Sequence, residues 1–300
     1  MINHRHSILL VVFSAFISLV GCSAKDKEQK KTTSNTDYRT PTLRNPALRN
    51  PNINLSGNFP GDVGVSHSRG RTALPYIAMT YDDGPHPQNT PRLLDMLRER
   101  NIKATFYVIG RSVNMYPHIV RRIVAEGHEI GNHTWTHRNL KGLSDSQVRW
   151  EMNKTRDIIV AACGVKPRTM RPPYGALRQN QRAWIHKEYG YPTILWNVDP
   201  EDWKRPGLSV VTSRIVNGTR NGSIVLAHDL HKPTVDAMPA TLDGLLRKGF
   251  KFVTVSQLLA LNPSTASTQP KANSAAAQAS VPVSVPPTSS VTPVSSSITP

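Results

Sequence analysis

Residues 76–262 predict a parallel α/β fold, on three observations. Short apolar runs of strand length, about seven of them, alternate with longer helical patterns. The helical patterns carry start signals at their expected ends. Polar clusters stand where the apolar runs stop, as expected if loops at strand C-termini build a site. Periodicity leaves open whether the sheet is open or closed into a barrel.

The elements follow in order. Residues 77–81 form a first strand, and Thr90-Pro91 reads as a helix cap and first-turn proline opening a helix over 92–100. A second strand covers 104–109. A second helix covers 117–126, with Ile119, Val120, Ile123 and Val124 on its apolar face. Gly127-His128-Glu129-Ile130-Gly131 makes a short third strand. Ser144-Asp145-Ser146-Gln147 is a capping box, and Val148, Met152, Thr155, Ile159 and Ala162 then line one helical face. Further strands are expected at 169–171, 193–198, 224–227 and 252–255, with helices at 181–189, 209–217 and 234–248.

The flanks differ in composition. His4, Arg5 and His6 precede an apolar run over 8–20, too short for a hydrocarbon core that needs roughly 20 residues but suited to an export signal. Leu19-Val20-Gly21-Cys22 resembles a bacterial lipoprotein lipobox, with Cys22 acylated as the first mature residue and residues 1–21 removed. At about 0.8 kcal/mol per buried methylene, several acyl chains would anchor the protein to a membrane. Ser23 follows, with no Asp there; similarity to sorted lipoproteins then implies the outer membrane in a Gram-negative cell, or the outer face of the cell membrane in a Gram-positive one. Residues 22–75 read as a flexible basic tether. Residues 263–300, with Lys271 as their one charge, read as a disordered Ser/Thr/Pro-rich tail.

The net charge is +17 and the sequence pI about 10.2. It suggests an acidic partner: nucleic acid, anionic lipid or an anionic wall polymer. Export and the lack of a recognition motif exclude nucleic acid. Two cysteines exclude a disulfide scaffold and a thiolate zinc site. Cys163, without a partner once Cys22 is acylated, reads as a buried structural thiol.

Five strand ends carry chemistry. The first runs into Thr80-Tyr81-Asp82-Asp83-Gly84-Pro85, where adjacent carboxylates need a cation or hydrogen bonds to receive them. The third runs into Asn132-His133-Thr134-Trp135-Thr136-His137. His133 and His137, at i and i+4, share one face if the segment is helical. With Asp83 they make two imidazoles and a carboxylate, a set that leaves positions open on a catalytic metal. Arg171-Pro172-Pro173-Tyr174-Gly175, Asp199-Pro200-Glu201-Asp202-Trp203 and Leu226-Ala227-His228-Asp229 follow later strands. His86 and His231 adjoin these segments and are assigned no role.

In order and spacing the five segments resemble the motifs of the polysaccharide deacetylases, the NodB-homology domain of carbohydrate esterase family four, across about residues 75–261. The resemblance implies a single catalytic domain folded as a distorted (β/α)7 barrel, and hydrolysis of acetyl groups from glycans with one divalent metal, Zn2+ being the usual ion. It implies Asp82 as base, Asp83, His133 and His137 as metal ligands, and Arg171 orienting Asp82. The Tyr174 N–H would help hold the oxyanion, His228 would be the general acid, and Asp202 would orient His228. Trp203 and Leu226 would wall the acetyl pocket. Tyr81 departs from the commoner phenylalanine, a change between two flat apolar rings.

An exported, tethered enzyme of this kind meets peptidoglycan first. Tyr174 in Arg-Pro-Pro-Tyr is similar to enzymes acting on N-acetylglucosamine rather than N-acetylmuramic acid. Chitin oligosaccharides, poly-N-acetylglucosamine and acetylxylan are alternative substrates, and a non-catalytic glycan-binding lipoprotein is the alternative of another class. Trp135, Trp203 and Tyr174 are candidates to stack on sugar faces.

Overall fold

The computed structural model describes residues 65–261. The expected signal peptide with Cys22, the part of the expected tether before residue 65 and the expected tail fall outside the described residues. The elements run β1 (Ser66–His67), β2 (Tyr76–Asp82), α1 (Asn89–Glu99), β3 (Thr105–Val108), α2 (Gly110–Met115), α3 (Pro117–Ala125), β4 (Glu129–Asn132) and α4 (Asp145–Cys163). They continue with α5 (Gln179–Tyr189), β5 (Thr193–Ile194), α6 (Leu208–Gly218), β6 (Ile224–His228), α7 (Lys232–Arg247), β7 (Lys251–Phe252) and α8 (Val255–Ala260).

All the strand pairings are parallel, and β2 stands at the centre. It pairs β3 on one side, with Asp82 opposite Tyr107, and β6 on the other, with Asp82 opposite His228. β3 pairs β4, and β7 joins the N-terminal end of β2. Single bridges carry the circuit onward, from Asn132 to Met170, Met170 to Thr193, and Val198 back to Val225. The strands thus close into an irregular barrel with helices outside it, which the periodicity left undecided.

Strand alternation assigns the two faces. Ile77, Met79 and Tyr81 enter one core with Leu93, Leu94 and Leu97 of α1 and Leu242 and Leu245 of α7. Tyr76 and Ala78 enter another, with Tyr107, Ile194 and Ile224. Both faces of β2 are therefore covered, and all seven of its residues are buried. Asp82 continues the face of Ala78 and Thr80, so the same alternation that packs the barrel delivers a carboxylate to its end.

The capping box at Ser144 and Gln147 forms as read, and Val148, Met152, Thr155, Ile159 and Ala162 are all buried along α4. Other expectations change. The folded domain begins before residue 76, because β1 pairs β5 and the Gly70 N–H bonds to Gly222 O at 2.8 Å. Thr90 is not the cap of α1: the helix starts at Asn89, and His86 Nδ1 accepts from Gln88 N and Asn89 N. The strand expected at 169–171 reduces to a bridge at Met170, since this segment divides its bonds between two neighbours; Arg171 N donates to Asn132 O and Met170 N to Pro192 O. The strand at 252–255 is cut to Lys251–Phe252 because Thr254 and Gln257 form a capping box that starts α8. Cys163 is half-buried, its Sγ donating to Ile159 O at 3.1 Å.

Candidate active site

The C-terminal ends of β2, β4 and β6 and the loops after Met170 and Val198 open into one pocket of about 420 Å³. Its walls include Asp82, Asp83, His133, His137, Tyr174, Trp203, Leu226 and His228. Five segments separated by up to about 150 residues are brought together there.

Asp82 is buried and held from below. The guanidinium of Arg171, fully buried, donates from Nη1 to Asp82 Oδ1 at 2.8 Å and to Thr80 Oγ1 at 2.6 Å. Its other nitrogens donate to Ile194 O and Leu195 O at 3.2 and 3.1 Å, and its plane lies 4.3 Å from the Tyr107 ring centroid. The charge is thus paired and hydrogen-bonded, as a buried ion requires. A guanidinium so committed fixes the orientation of the carboxylate.

Asp83, His133 and His137 converge as the sequence reading expected, but not on a helix. His133 to His137 form a loop with Thr134 and His137 at φ of 67° and 59°, sparsely used by non-glycine residues. Glu151, buried on α4, shapes this loop: its Oε2 accepts Trp135 N at 2.7 Å and Thr136 N at 2.8 Å, and Oε1 accepts the Thr136 hydroxyl. Asn132 adds a bond from Thr134 N to Oδ1 at 2.9 Å. The donor atoms of the triad lie within 4.8 Å of one another. His133 Nδ1 meets Arg171 O at 2.7 Å, which leaves Nε2 for the pocket. His133 Nε2 and His137 Nε2 stand 3.3 and 3.1 Å from Asp83 Oδ1, yet that buried oxygen has no partner of hydrogen-bond geometry. Two imidazoles and a carboxylate oxygen facing one point, with that oxygen otherwise unsatisfied, fit a divalent cation. Burial alone would push the Asp83 carboxyl up, but the two histidines outweigh it and hold it below the usual carboxylate range.

His228 lies across the pocket. Its Nδ1 pairs with Asp202 Oδ1 at 2.8 Å, and its N–H donates to Asp202 Oδ2 at 2.8 Å. Thr234 Oγ1 also donates to that Oδ2 at 2.8 Å. Burial opposes the imidazolium, but Asp202 outweighs it, with Asp82 and Asp83 adding, and pushes the His228 pKa up to about 9. Asp202, correspondingly, is held low against its own burial.

Tyr174 takes φ 60° in the rigid loop after Arg171, where Gly175 N and Ala176 N are used by Pro172 O and Pro173 O. Its ring packs edge-on against His137 at 4.8 Å. Tyr174 and Trp203 are exposed and Leu226 is buried, so they form rim and wall. Trp135 does not join them. Its ring packs onto Gly110, where a Cβ would lie 2.4 Å away, and Lys154 Nζ sits 4.3 Å from its centroid.

Some pocket residues escaped the sequence reading. Trp196 lines the pocket and donates from Nε1 to Asp199 Oδ2 at 3.1 Å; an aromatic inside a short apolar run reads as core. His231, left unassigned, also lines it. Glu151 had a usable signal, being a lone carboxylate one turn from Val148 on the apolar stripe of α4.

The sequence model for polysaccharide deacetylase matches residues 69–194. Peptidoglycan-N-acetylglucosamine deacetylase PgdA of Listeria monocytogenes is 42% identical over 182 residues, 61% of this chain and 38% of the relative. This chain thus spans about two fifths of the length of the first curated relatives it matches. A chitooligosaccharide deacetylase of Bradyrhizobium sp. is 39% identical over 197 residues, 61% of this chain and 90% of the relative. The crystal structure of the Bc1960 peptidoglycan N-acetylglucosamine deacetylase superposes with a TM-score of 0.62 at 35% identity, covering 65% of this chain and 92% of that one.

Proposed function

Because this chain belongs to the polysaccharide deacetylase family, we propose that it hydrolyses the N-acetyl groups of N-acetylglucosamine residues in a cell-envelope polysaccharide, peptidoglycan first, and releases acetate. The observation that carries this reading is the opposition, within one pocket, of a carboxylate clamped by Arg171 and an imidazole clamped by Asp202, with a three-ligand cation site beside the carboxylate.

Amide hydrolysis needs an activated water and a proton for the departing amine. Asp82 takes the proton from water; Arg171 holds its carboxylate in place. His228 delivers a proton to the sugar nitrogen as the C–N bond breaks, and Asp202 keeps the imidazolium oriented. The Tyr174 N–H donates to the oxygen of the acetyl carbonyl as negative charge gathers there. Trp203 and Leu226 enclose the methyl group. A divalent ion, Zn2+ by its donor set, held by Asp83, His133 and His137, would polarise the acetyl carbonyl and acidify water. A protein that only bound glycan would have no use for a paired base and acid, which favours catalysis over the binding-lipoprotein alternative.

The test is acetate release from peptidoglycan, chitin oligosaccharides, poly-N-acetylglucosamine and acetylxylan, each with and without exhaustive chelation. The expected result is turnover of peptidoglycan that chelation removes and Zn2+ restores. Turnover of chitin oligomers with a peptidoglycan blank would overturn the first substrate, and activity that survives chelation would refute the metal site.

The membrane placement is part of the same proposal. The lipobox-like Leu19-Val20-Gly21-Cys22 supports lipidation at Cys22, and with it an enzyme working against the wall from an exported, membrane-anchored position. Cys22→Ser is expected to shift the protein from the membrane fraction to the soluble exported fraction; an unchanged distribution would refute the anchor.

A further inference from the structure

Asp229 follows the acid His228 and takes no part in the roles above. With Asp82 opposite His228 across the β2–β6 pairing, residue 229 comes level with Asp83 and the turn after it. Its side chain is fully buried. Oδ2 accepts the hydroxyl of Thr90 in α1, and Thr90 Oγ1 accepts the His86 N–H at 2.7 Å. Among the described residues Oδ1 has no hydrogen-bond partner. Gly84 rests directly on the carboxyl: a Cβ there would lie 2.4 and 2.5 Å from its two oxygens. The far side of the same turn is tied to β3 by the Ile109 N–H on Gly84 O at 3.0 Å. Asn89 Nδ2 donates to Leu230 O at 3.0 Å, a second tie from the start of α1 to the segment that carries Asp229.

A buried carboxyl with an unsatisfied oxygen costs stability, so a leucine or alanine would serve better if packing were its only task. What a carboxyl adds here is a rigid, flat stop under Gly84 that is itself held by Thr90. We propose that Asp229 is a positioning residue: it fixes the Asp82-Asp83-Gly84 turn, and through it the separation between the base and the cation site. Its kinetic consequence rests on the deacetylase reading; its consequence for cation affinity does not. Burial and the nearby Asp83 and Asp82 charges push its pKa up to about 7. In the protonated form the group has the shape and hydrogen-bonding sense of a carboxamide.

The experiment compares Asp229→Ala, Asp229→Asn, Thr90→Val, Gly84→Ala and the Gly84→Ala/Asp229→Ala pair. The readouts are kcat and KM for acetate release, Zn2+ affinity against a chromophoric chelator, and thermal unfolding. Asp229→Ala is expected to lower kcat by about 10²-fold, the effect of a misplaced reacting group, with KM little changed. It should weaken Zn2+ about 10-fold, as loss of a group that holds a ligand in place does. Asp229→Asn should recover most of both. Gly84→Ala should impair the wild type but add nothing to Asp229→Ala, because the clash is then gone. Wild-type kcat and Zn2+ affinity in Asp229→Ala, or an equal Gly84→Ala penalty in both backgrounds, would overturn the proposal. If Asp229→Ala does not fold, Thr90→Val decides: lower kcat and weaker Zn2+ binding support it, and wild-type values for both overturn it. If the wild type releases no acetate from any glycan, the deacetylase reading fails and Zn2+ affinity alone decides the role of Asp229.

Discussion

Asp82→Asn is expected to lower kcat for acetate release by about 10²–10⁴-fold while the domain stays folded. The side chain keeps its size and one oxygen for Arg171, but a carboxamide cannot take a proton from water. Arg171 is fully buried and loses its only anionic partner among the described residues. Asp82→Ala is therefore expected to lose stability as well, toward the 3–5 kcal/mol typical of a broken buried ion pair. The asparagine variant should lose less, because Thr80 Oγ1, Ile194 O and Leu195 O still accept from the guanidinium. Acetate release and thermal unfolding, measured on both variants, separate the two effects. An asparagine variant with the wild-type rate would end the assignment of Asp82 as base.

The second large effect is at His228, where removal of the imidazole is expected to cost another 10²–10⁴-fold, and where pH gives a finer test. The His228 pKa is raised from 6.5 to about 9, chiefly by Asp202 against burial. The proton-donating form therefore predominates below about 9, and activity should fall as pH rises through that value. The same shift makes the His228–Asp202 pair stabilising. That stability is fully present below about 6.5 and is lost as pH climbs to about 9. Asp202→Asn removes the principal cause of the shift, so the alkaline limb of the rate profile should move down toward 6.5. A limb that stays near 9 in Asp202→Asn would show that another group sets it.

The residues that make these predictions were legible because each closes a short apolar run. Asp82 and His228 end the two strands with the clearest apolar runs, and parallel pairing puts both ends on one side of the sheet. Arg171 was legible as a charged residue beside prolines, but its burial was not. Nothing local says that four N–H donors of one guanidinium will find Asp82, Thr80, Ile194 and Leu195. The His133–His137 pair was legible as a pair, but the helical face that would have joined them at i and i+4 is a loop in the structure. Its loop depends on Glu151, a residue sixteen positions after Trp135 whose carboxylate bonds to two successive backbone N–H groups. Thr90 was mistaken for a helix cap for a related reason: its hydroxyl donates to Asp229, at the end of a strand far away in sequence. Trp135 was offered as a sugar platform on composition alone, and the close approach of α2 through Gly110 covers it instead.

Order along the chain was enough for the alternation of strands and helices, the polar character of the strand ends, and the set of groups available for acid, base and cation binding. These follow from periodicity, capping and side-chain chemistry, which are local. Closure of the barrel, the burial of Arg171, the bend of the histidine loop and the contact of Asp229 with Gly84 arise only in the folded chain. Each is a contact between segments far apart in sequence, settled by strand register and by which buried polar group finds a partner, and neither quantity is written in any one stretch of residues.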